Sequence, residues 1–172
     1  YYRVAEGEPV KFISYSELQS ILAEAALRGW KTPSSAKEHY ENGVRAAMTF
    51  TAENTPEEYR HGATIDAAYI EDYLNGKAKF DAKNGLEQIM TQKLIGSFFQ
   101  LKFNSYYDYR RTGYPRIPID PATNMNEVKT QLPIRWMYPD EEYSQNRTNI
   151  EEAIQRQFGG NDTPNDVMWL LK

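Results

Sequence analysis

Residues 84–115 read NGLEQIMTQKLIGSFFQLKFNSYYDYRRTGYP, which combines the longest helical pattern of the chain with its densest group of aromatic and basic side chains. Apolar side chains recur within it near the helical period and form a stripe along one face. The members of this stripe are Leu86, Ile89, Met90, Leu94, Phe98 and Leu101. Such a face has to be buried, so we expect the rest of the chain to pack on this segment.

Local signals predict where this helix begins, bends and ends. Asn84 and Glu87 have the spacing of a capping pair, in which side chains satisfy free backbone N–H groups of the first turn. An unbroken helix would be about 40 Å long at ~1.5 Å per residue, longer than a domain of this size is wide. We therefore expect a bend near Asn104. Gly113 permits a positive φ and Pro115 cannot continue a helix, so the helix is expected to end there.

The composition limits the possible functions. With 172 residues, 40% of them hydrophobic, the chain can form one domain with a core. Its net charge of −4 disfavours sequence-independent binding to nucleic acids. No apolar run approaches the roughly 20 residues of a membrane-spanning helix. The absence of cysteine excludes disulfides, thiol catalysis and thiolate metal sites within this sequence, and it leaves the compartment open.

Two capping motifs predict an antiparallel helical hairpin before this segment. Ser14 with Glu17 begins the first helix, and Gly29 ends it. Ser35 with Glu38 begins the second helix. The expected inner faces are Tyr15, Leu18, Ile21, Leu22 and Ala25 on the first helix and Ala36, Tyr40, Gly43, Val44, Ala47 and Phe50 on the second. Small residues on these faces allow the helix axes to approach closely, with a spacing that resembles tetratricopeptide hairpins.

The whole pattern predicts a single all-α domain over residues 1–172, with tetratricopeptide-like hairpins followed by a proline-rich coil and short strands. The prolines beyond position 115 prevent regular helix there. The last helix is expected to begin at Asn149 and to end at Gly159, and the apolar tail after it is expected to pack. The expected segments are a leading segment (1–13), helices (14–111), a coil (112–148) with strands at 116–119 and 133–137, and a C-terminal helix and tail (149–172).

Few residues carry the pattern of a catalytic or metal site. His39 and His61 lie on polar stretches without a second ligand at a suitable spacing, so we expect surface histidines, no metal and no cofactor. The acidic runs at 57–58 and 140–142 are expected to be solvated, because glycoside hydrolysis needs two carboxyls held across a cleft. The sequence therefore predicts a protein that is not an enzyme.

Two charged groups have a structural or a binding interpretation. Glu24 and Arg45 are expected to face each other across the hairpin, as an ion pair that fixes its register. The run YYDYRR at 106–111 suits a ligand platform, since aromatic rings stack on flat ligands and arginine binds oxygen-rich groups. The favoured alternative is a self-satisfied network in which Asp108 pairs with the neighbouring arginines under the following turn.

Several blocks, in the same order, resemble the C-terminal portion of the SusD/RagB family of outer-membrane nutrient-binding lipoproteins. The resemblance spans nearly the whole chain, and the arginine-threonine-glycine turn is its most specific part. The blocks are YSELQSILAEAA (15–26) with Glu24, NGVR (42–45) with Arg45, Gln92 and Lys93, YDYRRTGYP (107–115) with Asp108, Arg110, Arg111 and Gly113, and PIR (133–135) followed by Tyr138, Pro139, Glu142 and Asn146.

This resemblance implies a helical scaffold that is the C-terminal part of a longer protein, displayed at the outer-membrane surface through a lipid anchor outside this sequence. It implies a lid over a SusC-like TonB-dependent transporter, where the protein captures an oligosaccharide or a peptide without cleaving it. The motif residues Glu24, Arg45, Asp108, Arg110, Arg111 and Gly113 are expected to be structural. Trp136 and Tyr138 are the candidate ligand contacts, with core packing or contact with the transporter as the alternatives for each.

Two other classes of function stay open. Helical hairpins alone equally support a generic module that binds a protein segment in a groove. The other class is a glycan-cleaving enzyme, for which no acid pair is identifiable in the sequence. A neighbouring gene for a TonB-dependent barrel would favour nutrient capture, whereas release of reducing ends from glycans would favour the enzyme.

Overall fold

Helices form the regular structure of residues 9–98, 100 and 103–171, which the computed structural model describes. Leu101 of the predicted stripe and residues 1–8 of the predicted leading segment lie outside these residues. The chain divides into two compact units, which we call unit 1 (Tyr1–Arg116) and unit 2 (Ile117–Lys172). The α-helices of unit 1 are α1 (Tyr15–Leu27), α2 (Ala36–Asn54), α3 (Ala67–Asn75), α4 (Gly85–Gly96) and α5 (Asn104–Thr112), and those of unit 2 are α6 (Asp140–Gln145) and α7 (Arg147–Phe158). The predicted all-α class is confirmed, while the single-domain organisation over 1–172 stays a prediction.

Side-chain caps begin both helices of the predicted hairpin. The Oγ of Ser14 accepts a hydrogen bond from the N–H of Glu17 at 3.1 Å, and the Oγ of Ser35 accepts one from the N–H of Glu38 at 3.2 Å. These bonds satisfy backbone donors that the first turn of a helix leaves free. Helix α1 packs against α2 along the hairpin, as predicted.

The core of unit 1 is formed by α1, α2, α3 and α4. Its buried apolar residues are Ala23, Tyr40, Val44, Ile70, Leu74, Ile89 and Met90. Gly43 lets α1 and α2 approach closely, because a Cβ there would lie 3.2 Å from the backbone oxygen of Ser16. Tyr40 donates its hydroxyl proton to the carbonyl oxygen of Ala78 at 2.9 Å, so its polar end is satisfied inside the core.

The inner face of α1 differs from the predicted one. Its buried residues are Gln19, Ala23 and Glu24. Three residues predicted to face inwards, Tyr15, Leu18 and Ile21, are 59%, 44% and 49% exposed. The apolar pattern misled because the polar side chains of α1 meet hydrogen-bonding partners on other helices, and a buried polar group with partners avoids most of its desolvation penalty.

Residues 84–115 form two helices rather than one bent helix. Helix α4 ends at Gly96, and the hydroxyl of Ser97 donates to the carbonyl oxygen of Lys93 at 2.8 Å. A serine that competes for a helical carbonyl in this way weakens the helix, so the break comes before the bend predicted at Asn104. Gly113 ends α5 as predicted, in the left-handed conformation with φ of 77°.

The predicted cap of α4 is absent. Asn84 occupies the cap position, but it makes no side-chain cap hydrogen bond. Its amide instead donates to Oδ2 of Asp81 at 2.9 Å, in the turn that precedes the helix. The capping prediction was wrong here because the hydrogen bond to Asp81 holds the side chain of Asn84 in the preceding turn.

Neither predicted strand is present among the residues that the structure describes. At 133–137, the N–H groups of Ile134 and Arg135 both donate to the carbonyl oxygen of Pro164, at 2.8 and 3.2 Å. Two donors on one acceptor cannot start the regular ladder of a strand pair. At 116–119, Pro118 has no N–H to contribute to a ladder.

The helices of unit 2 also differ from the prediction at their starts. Helix α6 lies within the segment predicted as coil. Helix α7 begins after Asn146, earlier than predicted, and the amide of Asn149 donates to the side chain of Asn146 at 2.6 Å from within the first turn. Gly159, with φ of 79°, ends α7 as predicted. Trp169 in the tail is 70% exposed, so the packing predicted for the tail is wrong for this side chain.

Candidate functional site

A buried cluster of charges joins α1 to α5 in unit 1. Arg111 donates to both carboxylate oxygens of Glu24, one of them at 2.7 Å, and to Oδ1 of Asp108 at 3.0 Å. The Nε of Arg28 donates to Oε1 of Glu24 at 2.8 Å. Both carboxylates belong to buried residues, which are 8% exposed. Arginine donors from the end of α1 and from α5 therefore neutralise these buried carboxylates through charge-assisted hydrogen bonds.

This cluster holds Glu24 in its charged form. The hydrogen bond from Arg111 lowers the pKa of Glu24, and Arg28 lowers it further, against the raising effect of burial. The same contact with Glu24 raises the pKa of Arg111. A carboxyl with a lowered pKa is poorly suited to donate a proton, which is what the acid of a glycosidase must do.

Lys93 connects α4 to the same cluster. Its Nζ lies 2.8 Å from Oδ2 of Asp108 and 3.8 Å from Oε1 of Glu17. Asn104, at the start of α5, donates to the same Glu17 oxygen at 3.1 Å. The side chain of Lys93 is 14% exposed, so its pairing offsets a real desolvation cost. Opposite charges therefore hold α1, α4 and α5 together.

The two other charged residues of the predicted motif, Arg45 and Arg110, lie outside this cluster. Arg45 donates to both oxygens of Glu71 on α3, at 2.7 and 3.2 Å, and lies 3.7 Å from Glu41. The predicted ion pair between Arg45 and Glu24 is therefore wrong, because the two side chains point to different neighbouring helices. The guanidinium of Arg110 lies 5.5 and 5.9 Å from the centres of two tyrosine rings of its own helix, which suits a cation–π contact.

An open cleft of about 590 Å³ lies beside the charged cluster, and we call it the Trp30 cleft. Its walls include the charged residues Glu24, Arg28, Lys93, Asp108 and Arg111 together with the ring of Trp30. Trp30 is 71% exposed. The patterns considered in the sequence did not indicate Trp30. The signal that marks it is an apolar residue directly after Gly29, the glycine that ends α1.

Asp162 is the common hydrogen-bond acceptor for the residues around the candidate ligand contact Tyr138 in unit 2. It accepts hydrogen bonds from Arg135, from the hydroxyl of Tyr143 at 2.5 Å and from the N–H of Tyr138 at 3.0 Å. Burial raises the pKa of Asp162, but the bonds from Tyr143 and Arg135 outweigh it and the pKa is lowered overall. The bond to Asp162 raises the pKa of Tyr143 to about 12. The sequence did not indicate Asp162, because its partners lie 19 to 27 residues away along the chain.

The two candidate ligand contacts have different environments. Trp136 is 62% exposed, which excludes core packing of its side chain. Tyr138 is partly buried, and its hydroxyl accepts a hydrogen bond from Gln157 at 2.9 Å. The ring of Tyr138 lies 5.6 Å from the guanidinium of Arg135. Tyr138 therefore packs within unit 2, and Trp136 remains the better placed of the two for a ligand.

The two histidines lie in different environments. His39 is 4% exposed, so its predicted surface position is wrong. Its Nε2 accepts the N–H of Ser34 at 3.2 Å, which leaves the proton on Nδ1 to be donated to Oε1 of Gln19 at 2.7 Å. His61 is exposed in a turn, with φ of 51°. Among the described residues, no three His, Cys, Asp or Glu side chains are placed to hold a metal ion.

These features define a helical-hairpin scaffold whose charges are used mainly to join its helices. The chain belongs to the SusD-like family, described as SusD and RagB outer membrane lipoprotein, whose sequence profile matches residues 1–171. The resemblance seen in the sequence is thereby confirmed, together with the outer-membrane localisation. Within the part of the chain that the structure describes, no helix is long and apolar enough to cross a membrane.

Solved structures of other family members share this fold. A SusD homologue from Bacteroides fragilis is 45% identical, with a TM-score of 0.82 over 96% of this chain and 36% of its own. An outer membrane protein from Bacteroides vulgatus, described as involved in nutrient binding, is 32% identical, with a TM-score of 0.76 over 96% of this chain and 35% of its own. A chitin-binding protein is 37% identical, with a TM-score of 0.68 over 91% of this chain and 32% of its own.

The chain thus spans about a third of the length of the solved relatives that it matches. No curated protein matches the chain.

Proposed function

We propose that this protein is a non-catalytic nutrient-binding protein of the bacterial cell surface, and that its nutrient is a glycan. The match of residues 1–171 to a family of outer-membrane lipoproteins carries this proposal. The similarity to a chitin-binding protein, at 37% identity over 91% of this chain, supports a glycan rather than a peptide.

The state of the buried carboxylates supports binding without cleavage. Glycoside hydrolysis needs one carboxyl that stays protonated and a second one across the scissile bond. Interactions with arginine lower the pKa of Glu24 in unit 1 and contribute to the lowered pKa of Asp162 in unit 2. Each carboxylate is also occupied by hydrogen bonds that hold its unit together.

The proposal includes a membrane partner. A lipoprotein that captures a nutrient outside the outer membrane needs a route for it through that membrane. We propose that the protein forms the lid of a SusC-like TonB-dependent transporter and that a lipid attaches it to the membrane. Co-purification of a TonB-dependent barrel with the tagged protein from native outer membranes is the expected result. Recovery of the protein without any barrel would contradict this part of the proposal.

A glycan panel tests binding and cleavage together. The purified protein is titrated with soluble oligosaccharides that include chitotetraose, and the heat of binding is recorded by calorimetry. The same mixtures are then incubated for hours and assayed for new reducing ends. We expect saturable binding of at least one glycan and no release of reducing ends. Failure of every glycan to bind would overturn the proposed ligand class, and sustained turnover would overturn the proposal of a pure binder.

A further inference from the structure

We propose that the Trp30 cleft is a binding site for a short oligosaccharide, which stacks on the ring of Trp30 and hydrogen-bonds to Arg28 and Glu24. This inference rests on the proposed glycan-binding function and assigns it to a place on the molecule. It is distinct from the candidate contact at Trp136, which lies in unit 2.

The end of α1 fixes the position of Trp30. Gly29 adopts the left-handed conformation with φ of 83°. Its N–H donates to the carbonyl oxygen of Ala26, and the N–H of Trp30 donates to that of Ala25, both at 3.0 Å. This pair of bonds is the Schellman arrangement, which satisfies the last carbonyls of a helix and fixes the direction in which the chain leaves it. The backbone of the exposed tryptophan is therefore held in place before any ligand arrives.

Polar groups beside this ring are fixed as well. Arg28 uses its Nε to bind Glu24, and among the described residues its two terminal nitrogens have no hydrogen-bond partner. The side chain of Arg28 is 47% exposed, so these nitrogens are accessible to a ligand. Glu24 is held on its other side by Arg111. Groups that are already oriented lose little entropy when a ligand binds to them.

The composition of the walls suits a sugar. A pyranose presents a flat C–H face, which packs on an aromatic ring, and a rim of hydroxyls that both donate and accept hydrogen bonds. The cleft offers the ring of Trp30 for the face, and both guanidinium donors and carboxylate acceptors for the rim. Its volume of about 590 Å³ lies within the range of small-molecule sites. A ligand of a single charge would meet side chains of both signs, which favours a ligand rich in hydroxyls.

Three tryptophans allow a matched experiment, since Trp30, Trp136 and Trp169 are all more than 60% exposed, at 71%, 62% and 70%. Each is replaced by alanine in turn, and the glycan from the panel that binds the wild-type protein most tightly is titrated into each variant. Because the removed rings are exposed, we expect all three variants to keep the wild-type circular dichroism. We expect Trp30→Ala to weaken binding by about tenfold or more, the effect of removing an aromatic anchor. We expect Trp169→Ala to bind as the wild type does.

The outcomes separate this inference from the proposed function. If the wild type binds a glycan and Trp30→Ala binds it equally well, the site assignment is overturned while glycan binding stands. Loss of binding in Trp136→Ala alone would move the site to unit 2. If the wild type binds no glycan of the panel, the proposed ligand class itself fails. An Arg28→Gln variant gives a second measurement, for which we expect weaker binding and a smaller loss of melting temperature than for Arg111→Met, because Glu24 keeps both hydrogen bonds from Arg111.

Discussion

Replacing Arg111 by methionine is expected to destabilise unit 1 far more than the same change at Arg45. Both arginines bind a glutamate through two hydrogen bonds, and Arg111 donates a third one to Asp108. Their burial differs, because the side chain of Glu24 is 11% exposed and that of Glu71 is 51% exposed. Methionine retains much of the apolar stem, so the comparison isolates the loss of the guanidinium group.

The size of the expected loss in stability depends on the partners that Glu24 and Asp108 retain after Arg111 is replaced. Complete disruption of a buried ion pair costs about 3–5 kcal/mol, because one charge is left without a partner. After Arg111→Met, Glu24 still has Arg28 at 2.8 Å, and Asp108 still has Lys93 at 2.8 Å. The side chain of Arg111 is also 48% exposed, which reduces its contribution. We therefore expect a loss of about 2 kcal/mol in the free energy of unfolding, the contribution of about one hydrogen bond to a charged group.

Urea unfolding followed by circular dichroism at different pH values tests the cause. The folded-state pKa of Glu24 is lowered by Arg111, so this ion pair contributes stability above the unfolded-state pKa of about 4.3. The contribution is lost as the pH falls through the lower folded-state value. The difference between the wild type and Arg111→Met is therefore expected to be full at neutral pH and to shrink in acid. Equal losses for Arg111→Met and Arg45→Met, or a difference that persists in strong acid, would refute the reasoning.

Two further changes test the packing of each unit. Gly43→Ala is expected to lower the free energy of unfolding by about 1 kcal/mol or more, because its Cβ would lie 3.2 Å from the backbone oxygen of Ser16. An increase in stability, as at an exposed helical glycine, would contradict this and show that α1 and α2 have room to move apart. Asp162→Asn is expected to cost about 3 kcal/mol or more, since it leaves Arg135, whose side chain is 5% exposed, without its carboxylate. It should also return the pKa of Tyr143 from about 12 towards its ordinary value, measured by ultraviolet difference titration. The matched control is Glu152→Gln at an exposed position of α7, which should change neither quantity.

The sequence predictions were most accurate where a feature depends on contacts between residues that are close along the chain. Ser14 and Ser35 cap helices through bonds to residues three positions away, and both caps are present. The helix ends at Gly113 and Gly159 were also predictable, because a positive φ is a property of the glycine itself. The cap at Asn84 failed for a reason of similar range, since Asp81 competes for the same side chain.

The failures at longer range concern partners on other helices. Glu24 and Arg111 are separated by 87 residues, so no local pattern indicates that they pair. A hydrophobic pattern alone then assigns the inner face of α1 to its apolar side, and it misses Gln19 and Glu24. The Trp30 cleft depends on the same long-range contacts, because α4 and α5 supply part of its walls.

The charged cluster and the Trp30 cleft share Glu24, Arg28 and Arg111, so a substitution in the cluster can also change the cleft. Glu24 is held by Arg111 on one side and holds Arg28 on the other. Without Arg111, Glu24 loses the two hydrogen bonds that position it, so Arg111→Met is expected to affect both the stability of unit 1 and the orientation of the Arg28 side chain that Glu24 binds. Trp30 is instead held by the backbone at the end of α1. Changes at Trp30 should therefore alter ligand affinity at constant stability, whereas changes at Arg111 should alter both.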